Sequence, residues 1–153
     1  MLVSVYSHNM KEGSEEEVAG LVDTLKAMKS LLTKDRRSEF KDDVIEEIRK
    51  VGWSGERKIF PSTSNISITS TKRDLGLCLQ LGNIARYYAD IVKLQHMHHT
   101  GRISQGILIV YHGEAARRLF SGGGNLATFE RVTRELQLMI DSVSYPLTVI
   151  GIG

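Results

Sequence analysis

The sequence predicts an α/β domain with a mixed central sheet flanked by helices. Three observations carry that prediction. Apolar residues recur at helical spacing through the first third of the chain, and helical and strand periods alternate after it. The continuous apolar run GILIVY at 106–111 reads as a strand covered on both faces, and PLTVIGI at 146–152 as another buried strand.

Ser14 and Glu17 have the spacing of a capping box, and Val18, Leu21, Val22, Leu25, Met28 and Leu32 follow on one face, which predicts a helix over 14–32. Phe40, Val44, Ile45, Ile48 and Val51 continue the pattern up to Gly52, predicting a second helix over 39–51. ERKIF at 56–60 and ISITST at 66–71 alternate β-branched with polar residues on either side of a serine-rich turn, and are expected to be strands. In DLGLCLQLG, 74–82, the leucines share one parity while Asp74, Gly76, Cys78, Gln80 and Gly82 share the other. That division predicts a strand with one greasy face and one small, polar face free to approach something else.

From Asn83 the period lengthens again through Ile84, Tyr87, Tyr88, Ile91 and Leu94, giving a helix that ends near HMHHTG and Gly101. After the strand at 106–111, GEAARRLF at 113–120 reads as a short helix or turn and SGGGN at 121–125 as a loop. A helix over 126–141 follows through Leu126, Phe129, Val132, Leu136 and Met139, with Asn125 as its N-cap, and the strand at 146–152 closes the chain.

At 153 residues, with no linker or internal repeat, the chain is expected to form one domain: N-terminal helices in 14–51, then a core of sheet and helices in 53–153. Twenty basic residues against 18 acidic ones permit contact with an anionic partner but do not demand it. The single cysteine, Cys78, rules out an intramolecular disulfide or a cysteine-rich zinc site and suits the cytoplasm. No run approaches the roughly 18–20 apolar residues of a membrane span, and no basic start leads into an apolar leader, so a soluble, untargeted protein is expected.

Several local patterns bear on chemistry. His96 and His99 of HMHH share a helical face without an evident third ligand, so a solvated helix end is expected there. SGGGN lacks the lysine and hydroxyl of a phosphate-binding loop. Cys78 could act as a nucleophile with His96, His98, His99 or His112 as base, but between leucines in mid-strand it reads as a packing residue. Arg36, Arg37, Arg49, Lys50, Arg57, Lys58, Lys72 and Arg73 place recurrent positive charge near the expected sheet end, as phosphate contacts require.

KRDLGLCLQLGN, 72–83, resembles the type II restriction endonucleases of the BglII kind, within the PD-(D/E)XK nuclease superfamily. There a comparable Lys-Arg-Asp leads into an alternating strand that carries Glu-x-Gln, then a small residue and Asn. VIEEIRKVGW at 44–53 resembles the family's helix ending in Trp before the active-site strands, and GILIVYHG, the Phe129-Glu130 pair and YPLTVIGIG recur downstream in the same order. The resemblance implies a restriction-endonuclease-like fold and a reaction in which carboxylates on adjoining strands hold Mg²⁺ against the scissile phosphate.

Carried over position by position, the family's first aspartate falls at Thr69, its metal-binding glutamate at Cys78 and its glutamine at Gln80, of which only Gln80 is retained. A hydroxyl is neutral and a thiol is a soft ligand poorly matched to magnesium. Asp74, on the strand parity of Cys78 and Gln80, and Glu47, beside Glu46 on the preceding helix, are the candidate relocated carboxylates. For DNA, the resemblance points to Asn83 and to the loop from Ser121 to Asn125 as approaching base edges, with Lys72 and Arg73 nearby for phosphates. The similar enzymes continue beyond the closing strand into a segment that embraces DNA, whereas this sequence stops at Gly153.

The resemblance also implies a homodimer through helices 83–98 and 126–141. Tyr87, Tyr88, Ile91 and Leu94 would form the seam, unless the same stripe covers the chain's own sheet. The favoured expectation is therefore a restriction-endonuclease-like protein that binds double-stranded DNA and has lost most or all hydrolysis. An active Mg²⁺-dependent nuclease with relocated carboxylates and a non-catalytic structural or oligomerisation protein are the alternatives. Mg²⁺ is the expected cofactor if the site is active, and none otherwise.

Overall fold

Two strands that are buried at every position, Gln105–Tyr111 and Leu147–Ile152, need cover on both faces, and the chain builds its sheet around them. The structure, a computed structural model, describes residues 1–29, 32, 33, 36–120 and 125–153. The elements in chain order are β1 (Val3–His8), α1 (Glu15–Ala27), α2 (Arg37–Lys50), β2 (Arg57–Lys58), β3 (Ser67–Ile68), β4 (Ser70–Lys72), β5 (Leu75–Leu79), α3 (Ile84–His99), β6 (Gln105–Tyr111), α4 (Gly113–Leu119), α5 (Phe129–Leu138) and β7 (Leu147–Ile152).

The main sheet runs β1-β7-β6-β5-β4, parallel across β7, β6 and β5 and antiparallel at both edges; β2 and β3 pair separately. This is the mixed α/β architecture that the sequence predicts. Alternation along the strands divides the core. Leu75, Leu77, Leu79, Ile107 and Ile109 face α1, α2 and α4, where Leu21, Leu25, Phe40, Val44, Ile48 and Trp53 are buried. Cys78, Leu108, Val110 and Val149 face α3 and α5 with Tyr87, Ile91, Leu94, Val132 and Leu136. No helix among the described residues is long and apolar enough to cross a membrane.

Several expectations are corrected. The N-terminal strand β1 is absent from the sequence prediction; it is an edge strand, and its short alternation leaves Val5 exposed, so it carries little periodic signal. Helix α1 stops at Ala27 rather than at 32, although Met28 and Leu32 are still buried; residues 30 and 31 of the expected span lie outside the described residues. The capping box does not form. The Ser14 hydroxyl donates to Lys11 O and Gln105 Oε1, while Glu17 pairs with Lys72 and Arg73.

The strand expected over 66–71 is broken at Thr69 into β3 and β4, which belong to different sheets. The small face of β5 is not free. A Cβ on Gly76 would come within 2.8 Å of Ile103 Cδ1 and 3.2 Å of Leu94 Cδ2, because α3 lies directly on it. Gly106, the register partner of Gly76, meets Leu94 equally closely, so the two glycines form a flat seat for that side chain. Asn125 is not an N-cap: α5 begins at Phe129 after Thr128, since Leu126 and Thr128 first form bridges to Asn83 and Tyr111.

Candidate functional site

Where β5 ends, α2 from one face of the sheet and α3 from the other flank a cleft of about 490 Å³. Its floor is Cys78, Leu79 and Gln80, with Thr69 beside them at the break between β3 and β4. Helix α2 contributes Lys41, Ile45 and Arg49 at four-residue spacing, and α3 contributes Arg86, Ala89, Asp90 and Lys93, the face adjoining its buried Tyr87, Ile91 and Leu94. Glu56 and Ser67 form the outer wall and are hydrogen-bonded to each other.

Inside the cleft the polar groups already have partners. Thr69 Oγ1 accepts the Leu79 N–H at 2.9 Å, taking the place of a ladder carbonyl where the strand breaks. Gln80 Nε2 donates to Asp90 Oδ2 at 2.7 Å, and Lys93 Nζ to Asp90 Oδ1 at 2.8 Å. The Asp90 side chain is only 8% exposed, and that of Lys93 is 29% exposed. Burial, and secondly the Asp90 carboxylate, push the Cys78 thiol far above its ordinary range, so it stays protonated. A protonated, buried thiol is no nucleophile, and the nucleophilic reading of Cys78 is set aside on that ground.

Thr69, on the segment between β3 and β4, is therefore a neighbour of Cys78 and Gln80 in one cleft. The candidate relocated carboxylates are not among them. Asp74 lies in the turn before β5, at the opposite end of that strand, bound by Lys11 Nζ at 3.0 Å and by the Ser104 hydroxyl. Hydrogen bonds from Ser104 and Lys11 hold its carboxyl below the ordinary range. Glu47 points away on α2 and pairs with Lys50 at 2.8 Å.

Lys72 and Arg73 are likewise at the far end, both at 2.8 Å from the mostly buried Glu17. Asn83 caps α3, its Oδ1 accepting from Ala85 N at 2.8 Å. It is bridged to Leu126, which brings Asn83 and the exposed Asn125 to the same edge. Ser121 lies outside the described residues.

Asp90 is the functional candidate that sequence reasoning misses. The signal is the polar stripe Arg86, Asp90 and Lys93 beside the helix's apolar face; it marks a carboxylate and two cations on one line, though not that the line borders Cys78.

A family model described as restriction endonuclease BglII/BglIII matches residues 7–152. The chain belongs to the BglII/BglIII restriction endonuclease family. Among solved structures, it is similar to restriction endonuclease BglII complexed with a DNA 16-mer, with TM-score 0.78, 13% identity and coverage of 100% of this chain and 78% of that one. It is also similar to free BglII, with TM-score 0.70, 13% identity, 100% of this chain and 80% of that one. No curated protein sequence matches the chain.

As a BglII/BglIII family fold, the cleft occupies the end of the strand on which the resemblance places the metal ligands. Its donor set does not fit magnesium. The hydroxyl of Thr69 is neutral and engaged, the Cys78 sulfur is soft and protonated, and the one buried carboxylate already holds an ammonium. Among the described residues no group of three or more His, Cys, Asp or Glu side chains is arranged to hold a metal ion, His96, His98 and His99 included.

Proposed function

We propose that this chain is a DNA-binding member of the BglII/BglIII family in which phosphodiester hydrolysis has been lost. The observation that carries the reading is the Lys93–Asp90–Gln80 chain of hydrogen bonds beside Thr69 and Cys78. Hydrolysis in this family would need anionic oxygens free to hold a hard cation, and these positions offer a hydroxyl, a thiol and a carboxylate that is already neutralised. No hydrolytic step is assigned to the cleft.

Binding has better support. Lys41, Arg49, Arg86 and Lys93 line the cleft against Glu56 and Asp90, leaving a net positive groove. Lys41, Arg49 and Arg86 are exposed and have no carboxylate partner among the described residues, so they are open to phosphate oxygens. Asn83, whose Nδ2 is not used by the cap, and Asn125 supply amides at the sheet edge for base contacts. Lys41, Arg49, Arg86 and Lys93 replace Lys72 and Arg73 as the proposed phosphate contacts, because the latter two lie at the other end of β5, outside the cleft, where they pair with Glu17. The chain would act in the cytoplasm as one domain, 1–153.

A second copy of the chain is the proposed protein partner. Tyr87, Ile91 and Leu94 are consumed by the chain's own core, so the seam shifts to the outer face of α3 and α5, where Tyr88, Val92 and Leu138 are 42%, 65% and 80% exposed.

Incubation of the purified chain with duplex DNA across Mg²⁺ and Mn²⁺ conditions, alongside a salt titration of DNA binding, tests the proposal. Salt-sensitive binding without cutting is expected. Metal-dependent cutting abolished by Asp90→Asn or Glu56→Gln would instead establish an active nuclease with relocated carboxylates, and absence of salt-sensitive binding would favour a structural role.

A further inference from the structure

The Lys93 ammonium is fixed more firmly than a surface lysine. Its partner Asp90 is almost fully buried and is held from its other oxygen by Gln80, itself anchored by backbone pairing of Gln80 N to Ile109 O at 2.8 Å. The carboxylate cannot swing away, so the charge it holds stays on the cleft wall. Helix α3 is in turn seated on the sheet by Leu94 over Gly76 and Gly106, one residue beyond Lys93.

An ammonium has three donor hydrogens, of which Asp90 takes one, and the 29% exposure of Lys93 leaves the rest of the group facing the opening. A divalent cation seeking an anionic oxygen here would have to take Asp90 and would then sit against the displaced ammonium, two positive charges in one recess. The other carboxylate on the wall, Glu56, accepts from Ser67 and is exposed.

We infer that Lys93, clamped by Asp90, is the cleft's built-in cation: it supplies the positive charge that a divalent ion would otherwise bring, so that the cleft holds a DNA phosphodiester with no metal. This deepens the DNA-binding reading and rests on it. Lys93 contacts the phosphate, Asp90 positions Lys93, and Lys41, Arg49 and Arg86 extend the contact along the backbone.

Fluorescence anisotropy of the full chain with a labelled duplex, at constant ionic strength, tests it in EDTA and with Mg²⁺. The wild-type Kd is expected to stay within about twofold between the two, because the phosphates are neutralised by side chains rather than by a bound metal. Lys93→Gln is expected to weaken binding about tenfold in EDTA and to reduce the salt slope by about one, while Lys93→Arg keeps both near wild type and controls for folding. In Lys93→Gln the freed Asp90 carboxylate becomes available, so Mg²⁺ is expected to restore part of the lost affinity, a rescue that a merely structural lysine would not show.

Wild-type binding that appears only with Mg²⁺, or a Lys93→Gln variant that binds as wild type, overturns the inference while leaving DNA binding intact. Absence of binding in every condition overturns both.

Discussion

Gln80 and Asp90 are joined side chain to side chain, Nε2 to Oδ2 at 2.7 Å, linking the end of β5 to the second turn of α3. The bond ties Gln80, the only one of the three site positions that the resemblance carries over unchanged, to a carboxylate outside that motif. It also joins the cleft floor to the α3 wall, because Asp90 pairs with Lys93 one turn along its own helix and sits beside Cys78.

Asp90→Ala is therefore expected to lower stability by about 1–3 kcal/mol, since it leaves the part-buried Gln80 amide without its acceptor and Lys93 without its counter-charge. Asp90→Asn, which keeps an acceptor for Gln80 and loses only the charge on Lys93, is expected to cost less. Urea unfolding midpoints of the two variants decide between them; equal losses would mean that the ion pair, not the Gln80 bond, carries the energy.

Gly106→Ala tests the seat of α3. The added Cβ would lie 2.8 Å from Tyr145 Cε2 and 3.2 Å from Leu94 Cβ, inside van der Waals contact on two sides. A loss of about 1–3 kcal/mol is expected from overpacking, with weaker DNA binding because Arg86, Asp90 and Lys93 ride on the displaced helix. Thermal melting together with the anisotropy assay checks both parts; a variant as stable as wild type would show that α3 can lift without strain.

How much of this was legible beforehand follows from which residues carry periodic signal. The continuous apolar runs fixed β6 and β7, and the 3.6-residue stripes fixed α2 and α3, because burial on both faces or on one stripe leaves a direct pattern. Strand β1 and the break at Thr69 leave none: the first is an edge strand, and the second is set by a side chain accepting a backbone N–H from a neighbouring strand. The positions of Thr69, Cys78 and Gln80 came from ordered motifs and do converge in one cleft. Strand parity and chain proximity single out Asp74 and Glu47, but cannot reveal that Lys11, Ser104 and Lys50 already hold them at other sites.

Acid should loosen the join between α1 and β4. The hydrogen bond from Lys72 lowers the Glu17 pKa below its ordinary 4.5, with the charges of Lys72 and Arg73 adding to it against some desolvation. The folded protein thus binds that proton more weakly than the unfolded chain. The stabilisation is complete above about pH 4.5, the unfolded value, and is lost as pH falls through the lower folded one. Glu17→Gln is expected to be less stable than wild type near neutrality and to show a shallower decline below pH 4.5. Parallel urea melts across that range measure it; identical acid limbs would remove Glu17 from the account.

Leu138, 80% exposed, and Val92, 65% exposed, are the residues to change if a second copy packs on this face. Tyr88, whose hydroxyl donates to Glu135 at 2.7 Å, ties α3 to α5 one turn before Leu138 and gives the face a fixed geometry. Leu138→Lys with Val92→Lys is expected to convert a dimer to a monomer in analytical ultracentrifugation with no loss of monomer stability, because neither side chain belongs to the core. A wild-type monomer at high concentration would dismiss the dimer outright.

Restoring the family ligands is the strongest test of the cleft. Thr69→Asp keeps an oxygen to accept the Leu79 N–H, and Cys78→Glu places a carboxylate next to Asp90 at a site only 2% exposed. In the absence of metal these like charges repel in a recess, so the double variant is expected to be markedly less stable than wild type. Magnesium would reconcile them, with Lys93 turning outward. At a concentration near 100 times its Kd it would return about 2.7 kcal/mol, read as a rise in Tm that wild type does not show. Duplex cutting in Mg²⁺ by the double variant alone would mean that the frame still presents a phosphate correctly and that only the ligands were lost. If the double variant melts at the same temperature with and without Mg²⁺, positions 69, 78 and 90 do not converge on one ion, and the cleft has diverged in backbone as well as in side chains.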